Sequence, residues 1–360
     1  MGLRKNQIIL LTLAIIFCLS LSYLLNKYNH DPTNDFKSAF YRVTRDWLKG
    51  ETRLYDENSR GFWNAPWHAL ILAPFALFSE DAAYILYTFV ALGALIVTVQ
   101  YWIRQLRPPR WLVFAGLFNL STFALLYAGQ MDAVLFVGVT VGYWAVQKQR
   151  AFWLSVALAL LLIKPQNVAL PLLYFLYSAR SWPHSEKLKS VSLPVGLVAA
   201  FTPILGWDWP LRFLENLQAE SPVGGPERTV WGLAARFDVP LMLPMVLALL
   251  AIAWFLYCMK QGHSDAYVLC LALATNLFVS PYVHLHHYIT LVIPLFYLAR
   301  HHAGLAAIAV LALWTPLLNL VAKDTLASGV LYQIVLYGAI LIESVSAASP
   351  QRRSAHGLPG

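Results

Sequence analysis

The sequence predicts an all-α integral membrane fold, a single bundle of about twelve transmembrane helices with an amphipathic outer-face helix in the first loop. Three observations predict it. The 360 residues are 59% hydrophobic and only 12% charged, with a mean hydropathy of +0.57, whereas a soluble domain carries about 25% charged residues. Apolar segments approaching the about 20 residues that cross a bilayer recur along the whole chain. Basic residues fall in alternate loops, as the positive-inside rule requires. That sorting also accounts for the net charge of +8. The excess lies in short cytoplasmic loops, so no nucleic acid is expected as a partner.

The first span is 7–25, entering from the cytoplasm behind Arg4 and Lys5. It is long for the core of a signal peptide, and no small-residue cleavage site precedes "NKYNHDP", so it reads as uncleaved. Further spans are assigned to 81–103, 111–128, 132–147, 151–163, 167–179, 190–206, 240–259, 266–281, 285–299, 303–321 and 326–343. Residues 66–79, "PWHALILAPFALFS", are apolar but short. If they crossed, the basic loops at 104–110 and 147–150 would face outside; laid along the outer surface, they keep the alternation. Arg104, Arg107, Arg110, Lys148, Arg150, Arg180, Lys187, Lys189, Lys260, Arg300, Arg352 and Arg353 then face the cytoplasm, as do both termini. The expected organisation is one polytopic domain, 1–343, with outer loops 26–80 and 207–239 and a flexible cytoplasmic tail, 344–360. The expected location is the plasma membrane. Cys18, Cys258 and Cys270 lie in apolar segments and read as packing residues.

This topology collects the polar segments on the outer face: 26–65, "GQMD" at 129–132, "KPQ" at 164–166, 207–239 and "SPYVHLHH" at 280–287. Most of the acidic residues lie there too, so chemistry is expected to face outward. The segments beside Lys164 are short, about 13 residues or roughly 20 Å of helix. The apolar core is about 30 Å thick. Their shared turn is therefore expected below the outer surface, where irregular backbone lines a wet cavity.

In the first outer loop, Phe36, Phe40, Val43 and Trp47 fall at helical spacing, with Lys37, Arg42, Arg45, Asp46 and Lys49 on the other side and Gly50 as terminator. This predicts a helix lying in the membrane interface, rings downward and basic residues at headgroup level. Asp35, at its start, reads as an N-cap or as a general base held where lipid meets water. Asp132 reads as a cap of the following helix or, with Gln130, as a hydrogen-bonding partner for a sugar or hydroxyl. Lys164, at a break in apolar sequence, is a functional candidate because a lysine at membrane depth is expensive; a snorkelling interfacial lysine is the plainer alternative. Tyr282, His284, His286 and His287 cluster within one turn of sequence. Their spacing does not match a helical zinc pair and no glutamate stands near, so no metal ligands are assigned. No cofactor is expected, though the sequence leaves a divalent metal open. His301 and His302 read as inner headgroup contacts. Trp207, Trp209, Arg212, Trp231 and Arg236 suit either an aromatic belt or a sugar-binding loop.

The ordered set formed by Asp35 with "LKGETRLYD", then "WNAPWHALILAPFALF", "GQMD", "IKPQ" and "SPYVHLHH", spans residues 35 to about 294 and resembles the polytopic GT-C glycosyltransferases, more closely glycosyltransferase family 87. The resemblance implies a GT-C-type bundle and inverting transfer, on the outer face, of a mannose-like hexose from a polyprenyl-phosphate donor to a lipid or glycan acceptor. It makes Asp35 the first-loop catalytic aspartate and matches His286 and His287 to a histidine-bearing motif near the site. "FWNAPW" departs from the tyrosine–proline pattern often seen before the surface helix. Phosphate contacts are assigned to Lys164, Arg45, His286 and His287, whose charge or N–H groups suit a departing lipid phosphate. Substrate contacts are assigned to Tyr41, Gln130, Asp132, Gln166 and Tyr282. The competing readings are a flippase for a lipid-linked sugar, against which the charges at one face and the lack of a clear repeat both argue, and a scaffold, which leaves Lys164 unexplained.

Overall fold

The computed structural model describes residues 34–56, 62–219, 229–313 and 328–348. The expected first span, 7–25, lies outside the described residues, as do Cys18 and the tail from 349. Among the described residues the chain is all-helical.

The first outer loop opens with a π-helical segment, Phe36–Tyr41, that runs into α1, Arg42–Leu48. Gly50 ends it at φ +76, a conformation that suits glycine. The apolar face is not laid on headgroups. Phe36 stacks on Tyr87 at 4.8 Å and Phe40 meets His68 edge-on at 5.2 Å, so protein covers it. Lys37, expected on the polar side, is buried and paired with Asp81, with Glu80 at 3.9 Å. Both acids belong to the first turn of α3, Glu80–Leu106, whose Tyr84 and Tyr87 supply the covering rings. A flat aromatic face on α3 gives the loop helix a better partner than lipid headgroups do.

The 66–79 segment is buried on one side only, with Leu70, Leu77 and Phe78 exposed. It forms only α2, Trp67–Leu72, and a 3₁₀ turn, Phe75–Leu77. Trp67, His68, Ala69 and Leu72 are buried. The Trp67 indole donates to the Ala159 carbonyl at 2.9 Å, and the Ala65 amide donates to the Ile163 carbonyl at 2.8 Å. These bonds fasten the segment beneath the turn that carries Lys164.

The segment expected as one span at 111–128 is broken into α4, Arg110–Leu117, and α5, Leu120–Ala128. Asn119 caps α5 by accepting from the Thr122 amide at 2.9 Å. Between α5 and α6, Asp132–Gln147, the axis turns by 119°. Then come α7, Ala151–Leu161; a 3₁₀ turn, Pro165–Asn167; α8, Ala169–Ser178; α9, His184–Leu205; and α10, Trp209–Ala219. The rest comprises α11, Val230–Arg236; α12, Met242–Lys260; α13, Asp265–Val279; a 3₁₀ run, Leu285–Leu291; α14, Val292–His301; α15, Ala303–Leu313; and α16, Ser328–Ala348. The last helix continues past the boundary at 343 where the tail was expected to begin.

Three of the described helices, α3, α9 and α12, are long and apolar enough to cross a membrane; the bent pair α5–α6 makes a fourth if it counts as one span. The expectation of twelve is therefore not met among the described residues. α13 shows the reason: it is apolar but only 15 residues long, short of a crossing, and it packs against α8, α12, α14 and α16 with every residue from 267 to 278 buried. An apolar run reports burial, and burial in protein and burial in lipid read alike. On α12, by contrast, Leu243, Val246, Leu249 and Leu250 are exposed, the surface a lipid-facing helix presents. Cys258 and Cys270 are buried free thiols, as expected. His301 and His302 are not headgroup contacts: His301 Nδ1 lies 3.6 Å from Glu343, and His302 Nε2 is bonded to the same carboxylate. Glu343 is buried on α16, where a carboxylate needs such partners.

Candidate active site

Asp35 does not cap the helix it begins. It has helical φ and ψ, and no cap bond from its side chain is present; the Lys37 amide donates to Asn34 Oδ1 at 3.2 Å, so Asn34 takes that place. The Asp35 carboxylate instead accepts a hydrogen bond from Gln130 Nε2. Burial raises its pKa above the ordinary aspartate value, against the opposing pull of the Lys164 charge and the Gln130 bond. A carboxylate in that state is a better base than one spent on backbone amides. The π-helical geometry that follows Asp35 is itself a form found mostly at functional sites.

Gln130 sits at the α5–α6 elbow. Its amide donates to the Leu125 carbonyl at 2.9 Å, and its carbonyl accepts from the Tyr87 hydroxyl at 3.1 Å. Gly129 makes the approach of the two segments feasible. It has φ +62, and a Cβ there would stand 2.4 Å from Phe36 Cβ, an atom fixed to the backbone. Gly129→Ala is therefore expected to push the Asp35 segment off the elbow. The expected cost is about 1–3 kcal/mol of stability from overpacking, with a further loss of activity. Melting temperature and turnover of the solubilised variant check it; an unchanged protein on both counts refutes the close approach.

Asp132 is not a cap either; it is the first residue of α6, and the N-cap residue before it, Met131, makes no side-chain cap bond. Asp132 is 1% exposed and faces three groups from distant parts of the chain: Lys164 Nζ at 4.0 Å, His286 Nε2 at 3.8 Å and His287 Nε2 at 3.9 Å. Lys164, at the break between α7 and α8, is 5% exposed and lies 3.3 Å from His287 Nε2. Asn276, an amide inside apolar α13, steadies this break: it accepts from the Leu170 amide at 3.0 Å and donates to the Gln166 carbonyl at 3.4 Å.

One ligand-capable atom each from Asp132, His286 and His287 lie within 4.8 Å of one another, so a metal ion is a reading to test. His287 speaks against it. Its Nδ1 accepts from the His284 backbone N–H at 3.0 Å, so the neutral ring carries its proton on Nε2, the atom that faces Asp132. That nitrogen donates; it does not ligate. The Lys164 ammonium beside it is a second donor. Two donors side by side, balanced by one buried carboxylate, make a place for an anionic oxygen.

A narrow cavity of about 20 Å³ joins these groups, lined by Asp35, Asn64, Gln130, Lys164 and His286 among others. A larger groove of about 350 Å³ shares Trp63, Lys164 and Tyr282 with it. Gln166 and Asn276 are among the groove's polar lining residues, and Leu170, Leu217, Ile252 and Val279 among its apolar ones. The structure thus brings together Asp35, Gln130, Asp132, Lys164, Gln166, Tyr282, His286 and His287. Of these, Asp132 and His287 line neither cavity and join the cluster through Lys164; two other sequence candidates take no part in it. Tyr41 is buried with its hydroxyl donating to the Phe78 carbonyl at 2.7 Å, and Arg45 is exposed next to it. Sequence reasoning missed Trp63, Asn64 and Asn276. The signal for Asn276 was a lone amide within an apolar helix; for Trp63 and Asn64 it was the "WN" pair, read only as a departure from a motif.

No curated protein and no solved structure is detectably similar to the chain. The family model described as glycosyltransferase family 87 matches residues 62–281, more than half of the 360 residues. The match includes Asn64, Gln130, Asp132, Lys164 and Gln166, whereas Asp35, Tyr282 and the histidines lie beyond its ends. A helical membrane protein whose polar turns converge on one cavity, and which this model matches over that length, belongs to glycosyltransferase family 87.

Proposed function

We propose that this glycosyltransferase takes its sugar from a polyprenyl-phosphate donor and passes it, with inversion at the anomeric carbon, to a hydroxyl of a lipid or glycan acceptor on the outer face of the plasma membrane. The observation that carries the reading is the single cavity on which the Asp35 carboxylate and the Lys164 ammonium open together with His286. Asp35 removes the acceptor hydroxyl proton as the acceptor oxygen bonds to the anomeric carbon and the sugar–phosphate bond breaks, a single displacement. The electron pair leaves on the phosphate, and Lys164, His286 and His287 receive its charge. The apolar lining of the neighbouring groove suits the isoprenoid chain, and Gln166 and Tyr282 are among its polar residues. Asp132 holds Lys164, His286 and His287 together between turnovers. The outward orientation is supported by the turns that form the cavity, all of which the positive-inside pattern puts on one side. A donor already attached to lipid suits a face of the membrane that lacks nucleotide sugars.

Proteoliposomes containing the purified protein, supplied with radiolabelled short-chain polyprenyl-phosphate hexoses or with nucleotide hexoses and a membrane-lipid extract, test the reading. Transfer from the lipid-phosphate hexose alone, with the product anomer inverted by NMR, is expected. Transfer from the nucleotide sugar, retention at the anomeric carbon, or movement of the intact donor across the bilayer with no sugar transferred overturns it.

A further inference from the structure

We infer that Asn64 reads one hydroxyl group of the transferred sugar beside Asp35, with the Trp63 indole as the wall on which the sugar ring rests. The inference rests on the glycosyl-transfer reading and makes it more specific.

Asn64 is 1% exposed and lines the narrow cavity with Asp35, Gln130 and Lys164. Its Oδ1 is buried and makes no hydrogen bond. An orphaned amide oxygen costs about 1–3 kcal/mol, yet the fold holds this one firmly. The Tyr55 hydroxyl donates to the Asn64 carbonyl at 2.7 Å. The next residue, Ala65, is tied by its amide to Ile163, the neighbour of Lys164. The side-chain amide is oriented by His68, whose Nδ1 lies 3.0 Å from Asn64 Nδ2. His68 is fully buried, and burial, aided by the Lys164 charge, lowers its pKa to about 3. It is neutral at any working pH. With Nδ1 accepting from the amide N–H₂, the donor side of Asn64 is used and its Oδ1 is left without a partner.

An acceptor fixed in this way calls for a donor, and a sugar hydroxyl is one. Size agrees. The cavity of about 20 Å³ has room for roughly one water-sized group, which fits a single hydroxyl and excludes a ring. The ring belongs in the adjoining groove, where Trp63, which lines both spaces, offers an aromatic face and a buried Nε1 with no hydrogen bond. Position identifies which sugar. Asn64 lines the same narrow cavity as the phosphate-facing Lys164 and the base Asp35, and the part of the reacting pair that bridges those two is the sugar in transit.

The test compares kcat/KM for a transferable short-chain polyprenyl-phosphate hexose and its monodeoxy analogues, in wild type, Asn64→Ala and Asn64→Asp. Wild type is expected to lose about 10- to 100-fold on one monodeoxy donor. Asn64→Ala is expected to fall to that level on the parent sugar and to treat the two donors alike within about threefold. Asn64→Asp keeps an acceptor oxygen in place and is expected to keep the discrimination, which separates recognition from a folding defect. Wild-type indifference to every donor hydroxyl overturns the inference. So does undiminished discrimination in Asn64→Ala, or a loss of discrimination confined to deoxy acceptors. Absence of transfer from any lipid-phosphate hexose in wild type sinks the underlying reading itself, and is recognised by that.

Discussion

Asp35→Asn is expected to abolish sugar transfer and leave the protein folded. The amide keeps the shape and still offers an oxygen to Gln130 Nε2, but it cannot take the acceptor proton. Loss of a positioned base costs about 10²–10⁴-fold in rate. Stability is expected to hold or rise. Burial raises the folded-state pKa of Asp35, so the ionised side chain weighs against folding at every pH above its unfolded value, and any stability gained by protonation is lost as pH rises through the folded pKa. The neutral amide removes that burden. The same shift sets the pH profile. The base works only when ionised, so turnover climbs with pH through a pKa above the ordinary aspartate value. Because the Gln130 bond lowers that pKa, Gln130→Leu is expected to move the acid limb to higher pH. Turnover against pH in wild type, Gln130→Leu and Asp35→Asn checks all three statements. Full turnover in Asp35→Asn removes this residue from the chemistry.

What the sequence could and could not disclose divides along physical lines. Lys164 stood out because a charge amid apolar residues is costly anywhere, and the structure does seat it in a buried cluster with Asp132. The polar turns at 129–132, 164–166 and 280–287 could be placed on one side from basic-loop alternation, and they do meet. Their pairing was beyond reach. Gln130 and Asp35 are 95 residues apart and Lys164 and His287 are 123 apart, and nothing local in a sequence encodes such contacts. Local rules also misassigned two carboxylates. Asp35 and Asp132 both sit at a helix start, but Asn34 takes the one cap bond and Met131 precedes the other helix without one, which leaves Asp35 for the cavity and Asp132 for Lys164. The loop helix misled for a related reason: an apolar face on a surface helix fits lipid and fits Tyr84 and Tyr87 equally well. His68 was passed over as one more apolar-segment residue, yet its burial is what fixes Asn64.

Lys164→Met is expected to cost stability and activity together, and a second substitution separates the two. Asp132 is 1% exposed, with Lys164 Nζ at 4.0 Å and the Nε2 atoms of His286 and His287 at 3.8 and 3.9 Å; the lysine is the one of the three whose charge does not depend on a ring proton. Removing it leaves a buried carboxylate without its permanent counter-charge, a loss of about 3–5 kcal/mol. Methionine keeps much of the side-chain volume, so the loss is electrostatic rather than a cavity effect. Asp132→Asn added to Lys164→Met takes away the orphaned charge as well, and replacing both members of a buried pair is often close to neutral. The double variant is therefore expected to recover most of the melting temperature. It is not expected to recover turnover. The departing phosphate still lacks its cation, and loss of one such contact costs about 10²–10³-fold. If Lys164 served only to balance Asp132, activity would return with stability in the double variant. A phosphate-binding lysine instead leaves a folded protein that turns over poorly, and the deficit should ease for donors with better leaving groups, since a less basic departing oxygen needs the ammonium less. Melting temperature and turnover in wild type and the three variants, Asp132→Asn included, decide between a lysine that holds the site together and one that also carries the charge of the reaction.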